Sequence, residues 1–433
     1  MTNLSLSRRG FLGLIAGAVL AHDESAARVR PNILLIVSDD LGWNDIGFHN
    51  PAISTPNLDR LAGMGVLLEQ YRTMSICSPT RAALLTGKSA FRLGILGAIP
   101  RTSALSAKET LLPQMLSAAS YRTALIGKWH LGDIAVEYLP HKRGFDLHYG
   151  FLGGETSYFT HTAAGNRVDW YRNGTLVQEE GYTTDLLASE TIRFIRERDK
   201  ERPFFIDLSL NAPHLPLEVP EEYLAKYEHI DDPDRRKFTA MVDSMDAAIG
   251  RVTAVLEEEG ITNDTIVVWM SDNGGQVNMN GGGSNDPLRG QKGGAFDGGL
   301  RVPALVVWPE VLPAGRIHNG LFTVMDWLPT LAEAAQFDTA GIEFDGVSLW
   351  KDLVGGNPTE RGAVVLGGGA SSAVFRGEFK FVEQAMGQTT AQYLFRIYED
   401  PNETQDVKAR YPAEAAELLA ILRAQPRGEA DKL

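Results

Sequence analysis

Short runs of apolar residues alternate along the chain with longer segments whose apolar positions recur at helical spacing. Five runs are bounded by polar or turn-forming residues, and we expect each to be a buried strand. They cover residues 33–37, 124–126, 204–210, 265–270 and 304–308. Strands that alternate with helical patterns are typical of an α/β protein whose sheet is crossed by helices.

Local signals predict two of the helices and one long loop. Thr55 is expected to cap a helix whose first turn contains Pro56, because proline suits that turn. Apolar residues at helical spacing predict a second helix from about Arg235 to Glu259. The glycine-rich stretch of residues 274–299 is expected to be a loop, since so many glycines cannot hold a helix or strand.

The pattern changes past residue 336, where short strand candidates follow one another and a single helix ends the chain. The strand candidates are residues 363–366, 373–375, 379–382 and 394–398, and the helix covers residues 412–424. We therefore predict a main domain over residues 30–336 and a small C-terminal subdomain over residues 337–433, built as an antiparallel sheet with one helix.

The N-terminus resembles an export signal. Arg8 and Arg9 precede an apolar run from Phe11 to Ala21, which is too short for a spanning helix of about 20 residues. Paired arginines before such a run are typical of a twin-arginine signal. We predict that residues 1–27 are a leader and that the protein is periplasmic or secreted, without a membrane anchor.

Composition narrows the classes of partner. The chain has 433 residues, of which 44% are hydrophobic and 22% charged, and its formal net charge is −14. These values exclude a disordered protein, and the acidic balance argues against a nucleic-acid partner, which requires a basic face. An anionic substrate remains compatible with the sequence, because a basic pocket can lie inside an acidic shell.

Polar side chains follow the predicted strands directly. Asp39 and Asp40 come after the first strand, and Asp272 and Asn273 after the fourth. Ligands of α/β sheets bind outside the carboxyl ends of the strands, and hard oxygen ligands suit Ca²⁺ or Mg²⁺. We predict a metal site here; the alternative for each acid alone is a helix cap or a turn.

Basic residues occupy similar positions. Lys128 and His130 follow the second strand, where alternation along an extended backbone is expected to turn both towards one pocket. His214 follows the third strand, and Lys292 lies in the glycine-rich segment. Together with Arg81 and a cation, the two lysines would form a pocket for an anion.

Cys77 is the only cysteine, so it cannot form an internal disulfide. Pro79 and the residues after Arg81 predict a helix that begins near Cys77. Unpaired N–H groups at a helix N-terminus favour anions and are expected to acidify a thiol. Arg81, one turn into the helix, would add a donor suited to an oxyanion.

The segment of residues 77–87 resembles the signature of the type I sulfatases. It fits the core C-x-P-x-R, in which the cysteine is oxidised to formylglycine. The segments 39–40, 127–132, 272–275 and 289–292 also resemble the family, in its order. The likeness is clear from about residue 30 to residue 309, and residues 219–223 and 297–303 are similar to the arylsulfatase B branch, the N-acetylgalactosamine-4-sulfatase type.

The resemblance implies an alkaline-phosphatase-like α/β fold, a three-layer sandwich around a large mixed sheet, with a small C-terminal sheet. It also implies that Cys77 becomes formylglycine, whose hydrate is bound to Ca²⁺ (Mg²⁺ is the alternative). The implied metal ligands are Asp39, Asp40, residue 77, Asp272 and Asn273. The hydrate would attack sulfur and form a sulfoenzyme. The implied catalytic residues are six: Cys77, Arg81, Lys128, His130, His214 and Lys292.

The resemblance assigns these roles as follows. Arg81 would favour ionisation of the hydrate, and Lys128 and Lys292 would hold the sulfate oxygens. His214, alone or together with Lys292, would protonate the leaving oxygen, and His130 would then take the proton whose removal releases sulfate. The chain is thus expected to be a sulfuric ester hydrolase that acts by covalent catalysis.

Two rivals remain open at this stage: a phosphate or phosphonate ester hydrolase of the same superfamily, and a non-catalytic protein that binds sulfated glycans through unmodified Cys77. For the sulfatase we expect a sulfated polysaccharide or oligosaccharide as substrate and a formylglycine-generating enzyme as maturation partner.

The segments 141–182 and 276–289 are candidate sugar contacts or local packing, through Tyr158, His161, Trp170 and Asn285.

Overall fold

A computed structural model describes residues 30–278, 281–355 and 359–433 of the chain. The export signal predicted in residues 1–27 lies outside the described residues. Within those described ranges, no helix has both the length and the apolar character needed to cross a membrane.

A large mixed sheet forms the centre of the molecule. Ten of the described strands join it, in the spatial order Thr175–Leu176, Tyr171–Arg172, Leu147–Phe151, Arg122–Lys128, Phe204–Ser209, Asn32–Ser38, Thr265–Ser271, Ala304–Val307, Val66–Leu68 and Arg316–His318. The five strands predicted from apolar runs all lie in this sheet. Two-stranded pairs surround it: Tyr71–Arg72 with Phe322–Thr323, Ser103–Ala104 with Asp431–Lys432, and Thr162–Ala163 with Arg167–Val168.

The middle of the sheet is parallel, which places several strand ends at one edge. Asn32–Ser38 pairs in parallel with Phe204–Ser209 on one side and with Thr265–Ser271 on the other. Arg122–Lys128 continues the parallel order, whereas Ala304–Val307 runs antiparallel. The carboxyl ends of the parallel strands therefore meet, and the polar residues after them are brought together.

Both faces of the sheet are covered, so the domain has three layers. Along the first strand, Leu35 and Leu34 point into separate hydrophobic cores, as alternation along a strand requires. The helices packed on the first face include Cys77–Thr86, Leu112–Ala118 and Trp327–Ala335. Those on the second face include Pro56–Met64, Thr183–Arg196 and Pro233–Glu258. Shorter helices are Ala90–Leu93, Glu221–Leu224, Asp297–Leu300 and Trp350–Leu353. The alkaline-phosphatase-like sandwich predicted from the sequence is confirmed.

Two local predictions are corrected. The Thr55 side chain makes no capping hydrogen bond; its hydroxyl binds Asp59 instead. The carboxylate of Asp246, from the long helix, accepts the N–H groups of Asn57 and Leu58. A partner remote in sequence thus caps the helix, which local sequence signals cannot show. The glycine-rich segment is a loop only until Phe296, because Asp297–Leu300 is a short helix.

The C-terminal region contains the predicted antiparallel sheet and its helix. The four strands are Val364–Gly367, Ser371–Arg376, Phe379–Met386 and Thr389–Arg396, each paired antiparallel with the next. The helix Pro412–Arg423 packs on one face through buried apolar residues such as Leu418. Side chains of the other face, such as Phe375, join the hydrophobic core of the main sheet.

A buried ion cluster links this region to the main sheet; it consists of Arg72, Asp297, Lys380 and Glu403. Arg72 and Lys380 both bind the Asp297 carboxylate, at 2.6 Å each. Lys380 also lies 2.6 Å from Glu403, whose other oxygen accepts the N–H of Asp297. Burial raises the pKa of Glu403 to about 7, against the opposing effect of Lys380. The cluster depends on every member, since an unpaired buried charge is costly.

We expect Lys380→Met to lower the free energy of unfolding by about 3–5 kcal/mol, because it leaves the buried Glu403 without its cation. Urea denaturation followed by circular dichroism measures the loss. Arg423→Met is the control, since Arg423 pairs with Glu383 at the surface and is expected to contribute at most about 1 kcal/mol. Equal losses in the two variants would contradict a stabilising role for the buried cluster.

Candidate functional site

Three parallel strands bring the predicted carboxylates and lysine to one edge of the sheet. Asp39 and Asp40 directly follow Asn32–Ser38, and Asp272 and Asn273 directly follow Thr265–Ser271. Lys128 is the last residue of its strand, which is separated from Asn32–Ser38 by the strand Phe204–Ser209. All five side chains are almost completely buried.

Hydrogen bonds join the acids of the two strand ends. The N–H of Asp40 donates to Asp272 Oδ1 at 3.2 Å. The amide of Asn273 donates to Asp40 Oδ1 at 2.7 Å. Asp39 lies beside them, since Oδ2 of Asp39 and Oδ2 of Asp272 are 4.0 Å and 3.0 Å from the same nitrogen of Arg81. The predicted metal-binding residues are therefore neighbours, while their role as ligands stays a prediction.

Three cations neutralise the three carboxylates. Lys128 lies 2.5 Å from Asp39 and Lys292 lies 2.7 Å from Asp40. Arg81 binds Asp272 at 3.0 Å. Burial alone would raise the pKa of Asp39 and of Asp40, but the neighbouring cations outweigh it and hold both below the usual value. The pKa of Asp272 is raised instead, because burial and the negative charge of Asp39 outweigh the neighbouring cations there.

The donor set fits a divalent cation. Asp39 Oδ1 and Asn273 Oδ1 are buried, and neither accepts a hydrogen bond from any described residue. Buried oxygens normally have a partner, and hard cations such as Ca²⁺ and Mg²⁺ bind such oxygens. Ligand atoms of Asp39, Asp40 and His214 also lie within 4.8 Å of one another. His214 was not predicted as a ligand. It is remote from Asp39 and Asp40 in the sequence, and only the fold brings it close to them.

Cys77 is the first residue of the helix Cys77–Thr86, where the sequence placed it. Its Sγ lies 3.2 Å from Nδ1 of His130, and the thiol is buried. The prediction of an acidified thiol is wrong: burial raises the pKa of Cys77, and the lowering effects of Lys128 and Lys292 do not compensate. The loss of hydration outweighs the helix terminus and the cations.

His130 reaches the site by an unexpected route. The strand ends at Lys128, and the backbone of His130 is left-handed, with φ 53°. The prediction that both side chains share a pocket by alternation along a strand is therefore wrong in its geometry, although both do lie at the site. Ser78 Oγ holds the turn by donating to the His130 carbonyl at 2.9 Å.

His214 has one ring nitrogen fixed and one available. Nδ1 lies 2.7 Å from the carbonyl oxygen of Leu215, so it must carry a proton to donate there. Nε2 lies 3.6 Å from Oδ2 of Asp40. Tyr158 supports this loop, since its hydroxyl lies within hydrogen-bonding distance of the carbonyls of Asn211 and His214.

The residues predicted to contact sugar are interior. Tyr158, His161, Trp170 and Asn285 are all buried. Trp170 stacks on His161, and Asn285 binds Gly275. For Tyr158, His161 and Trp170 the structure therefore supports local packing, the alternative left open by the sequence, whereas Asn285 also lines a cavity with Ser284 and Gln291. The supporting role of Tyr158 was missed, because no local pattern relates residue 158 to residue 214.

The mouth of the site lies on the side of His214 and Lys292. Their side chains are 12% and 16% exposed, whereas that of Lys128 is fully buried. A tetrahedral anion that enters here would contact Lys292 and Lys128. The Nε of Arg81 lies deeper; it is buried and has no hydrogen-bond partner among the described residues. The arrangement can stabilise negative charge that develops on a transferred group.

Comparison with known proteins identifies related chains. A sequence model of the sulfatase family matches residues 31–337. Arylsulfatase J of Mus musculus is 35% identical over 76% of this chain and 56% of its own length. The N-acetylgalactosamine-6-sulfatase of Canis lupus familiaris is 33% identical over 81% of this chain and 71% of its own. The match thus spans little more than half of the first relative.

The fold also matches a solved structure. The crystal structure of Ps i-CgsB in complex with k-i-k-neocarrahexaose superposes with a TM-score of 0.86, at 30% sequence identity. The superposition covers 93% of this chain and 95% of that one. The similarity therefore includes the C-terminal sheet and helix as well as the large sheet.

We expect the protein, after treatment with EDTA and dialysis, to bind a divalent cation and to gain thermal stability from it. Binding at a concentration of one hundred times Kd should add about 2.7 kcal/mol. Calorimetric titration with Ca²⁺ and, separately, with Mg²⁺ measures the affinity without any assay of activity. Asp39→Asn should weaken binding about a hundredfold or more.

Asp246→Asn is the matched control, because Asp246 is also a buried carboxylate but lies in the helix Pro233–Glu258 and caps another helix. It should change the stability and leave the cation affinity as it is. Retention of full affinity in Asp39→Asn would overturn the assignment of the site.

Proposed function

The chain belongs to the sulfatase family, and we propose that it hydrolyses sulfate monoesters of carbohydrates. One observation carries the proposal: Cys77, in the family signature, starts a buried helix beside His130, in a site where three cations meet three carboxylates. Such a site can hold a sulfate group over residue 77.

Two groups would complete the site, and the residues present fit both. An aldehyde formed by oxidation of Cys77 would, after hydration, supply the oxygen nucleophile. A divalent ion, Ca²⁺ before Mg²⁺, would be held by Asp39, Asp40, Asp272 and Asn273 and would supply positive charge at the reacting centre. The raised pKa of Cys77 supports the need for modification, since the buried thiol is a weak nucleophile at neutral pH.

The cations of the chain bind the sulfate. Lys292 is partly exposed at the mouth and contacts the incoming group first. Lys128 is fully buried, lies deeper in the site and is paired with Asp39. Arg81 holds Asp272 through one nitrogen, and its Nε is still available to an oxygen at residue 77. Because these donors are fixed by buried carboxylates, they need little reorganisation when charge moves to the leaving oxygen.

Two histidines move protons on different sides of the reacting group. His214 Nε2 is close to the mouth, where the alcohol leaves, and we assign it as the acid that protonates the leaving oxygen. His130 Nδ1 lies 3.2 Å from the side-chain atom of residue 77. It is placed to accept a proton from that residue when sulfate is released.

The substrate we propose is a sulfated polysaccharide or oligosaccharide met outside the cytoplasm. The name of one relative refers to N-acetylgalactosamine, and a similar structure holds a neocarrahexaose. The paired arginines at residues 8–9 support export by the twin-arginine route. A folded exported chain would be modified at Cys77 by a formylglycine-generating enzyme before it leaves the cytoplasm.

We expect peptide mass spectrometry over residues 73–81 to find an aldehyde at position 77 in protein produced with the maturation enzyme, and Cys77→Ala to abolish turnover of 4-nitrocatechol sulfate. Cys77→Ala should keep the unfolding midpoint within a few degrees, since the site is held by other contacts. Turnover by unmodified thiol protein would contradict the proposal.

The same assays distinguish the two alternative functions. Faster turnover of the matching aryl phosphate would favour a phosphate ester hydrolase, and binding of sulfated glycans without turnover would favour a non-catalytic binding protein.

We expect His214→Ala to lower kcat about 10²–10⁴-fold on a sugar sulfate, because general acid catalysis contributes that much. The loss should be much smaller on 4-nitrophenyl sulfate, whose leaving group needs little protonation. Parallel kinetics on the two substrates measure the difference. His229→Ala, at an exposed position, should affect neither. Equal losses on both substrates would remove His214 from the role of acid.

A further inference from the structure

We propose that Arg101 and Arg167 form a second anion-binding subsite beside His130, which takes a further sulfate or carboxylate group of the same carbohydrate. The inference rests on the proposed function, because it concerns the substrate of the same site. It goes further by stating that the preferred substrate is a carbohydrate with more than one anionic group.

Two consecutive glycines separate the subsite from the reacting centre. A Cβ atom added to Gly154 would lie 2.6 Å from Cε1 of His130, so the backbone there lies against the ring. A Cβ atom added to Gly153 would lie 3.2 Å from Nη2 of Arg101. Consecutive Cα atoms are about 3.8 Å apart. The guanidinium of Arg101 is therefore a close neighbour of the histidine that contacts Cys77.

Buried groups fix Arg101 in this place. Its two terminal nitrogens bind Asp133 and Asp169. Asp169 is fully buried and also accepts the N–H groups of Leu152 and Gly153. The loop before Arg101 is attached to the helix of Cys77, since the N–H of Ile99 donates to Ser78 Oγ at 3.0 Å. Arg101 is thus pre-organised relative to the reacting centre, which limits the entropy lost on binding.

Arg167 extends the subsite towards solvent. It begins the short strand Arg167–Val168, and its nearest carboxylate among the described residues is Asp169, at 3.7 Å. That distance exceeds a hydrogen bond, so the donors of Arg167 are available to a ligand. Its side chain is 42% exposed, and that of Arg101 is 41% exposed.

The outer face of the cluster is cationic although its charges balance. Asp169 is fully buried and Asp133 is only 13% exposed, so the acids lie beneath the two arginines. Lys128, Lys292 and Arg81 lie inside the site for the reacting sulfate, where their side chains are at most 16% exposed, so a second anion outside the site does not reach them. Arginine forks match the oxygens of sulfate and carboxylate. In a protein of net charge −14, such a pair of arginines beside the site favours substrates that carry a second anionic group close to the reacting sulfate.

The experiment compares small carbohydrates that differ by one anionic group. Calorimetry on metal-loaded Cys77→Ala protein, which cannot turn the ligands over, is carried out with κ-neocarrabiose, with ι-neocarrabiose, which has a second sulfate, and with chondroitin-4-sulfate disaccharide and its methyl ester. We expect about tenfold tighter binding of the ligand with the additional charge in at least one pair. The pair that shows the preference identifies sulfate or carboxylate as the second group.

Added to this background, Arg167→Gln should reduce that preference about fivefold or more, and so should Arg101→Lys, which keeps the charge but loses the fork. The control is Arg251→Gln, since Arg251 is 43% exposed and pairs with Asp185 away from the site. It should leave the preference unchanged. Increasing salt should also reduce the preference, because exposed charges are screened.

The absence of a preference within both ligand pairs, or an equal preference in Arg167→Gln and in the parent, would overturn the subsite. Turnover of 4-nitrocatechol sulfate by the modified wild-type protein tests the proposed function separately. Turnover without a preference would leave the sulfatase and reject the subsite. A preference without turnover would keep the subsite and reject the reaction.

Discussion

The structure of the site depends on the burial of Asp39, Asp40 and Asp272 at one edge of the sheet. Three carboxylates this close repel one another and lose their hydration, which is tolerable only if cations lie among them. Lys128, Lys292 and Arg81 fill that role, each bound to one acid. The carboxylates thereby hold three positive groups in fixed positions around Cys77, and an anion can bind there in a protein with an acidic surface.

The parallel order of the central strands makes this concentration of charge possible. Asn32–Ser38 lies between Phe204–Ser209 and Thr265–Ser271, so residues that are remote in sequence leave the sheet side by side. Mostly apolar side chains cover both faces of the sheet, and the polar residues of the site follow the carboxyl ends of its strands. The same order explains why His214, Asp40 and Asp272 can interact without a local motif that joins them.

The sequence was sufficient to predict the strands and which residues meet at their carboxyl ends, and it failed where the answer depended on contacts remote along the chain. Asp39, Lys128 and Asp272 could be assigned because parallel strands end together. The cap of the helix at Pro56 could not, because Asp246 supplies it. The pKa of Cys77 was misjudged because a helix N-terminus can be read from the sequence, whereas the degree of burial cannot. The choice between sugar contact and local packing for Tyr158 stayed open for the same reason, and the structure shows that its hydroxyl supports the His214 loop.

The C-terminal region contributes to the site through the segment that carries Lys292. Arg289 donates to the carbonyl of Glu403, and its own carbonyl accepts the N–H of Gly298. Asp297, at the other end of the segment, is held by Glu403 and Lys380. Lys292 lies between these two fixed ends. The small sheet that supplies Lys380 therefore restricts the position of Lys292 relative to Asp40. The buried ion cluster therefore supports the position of Lys292 as well as linking two parts of the fold.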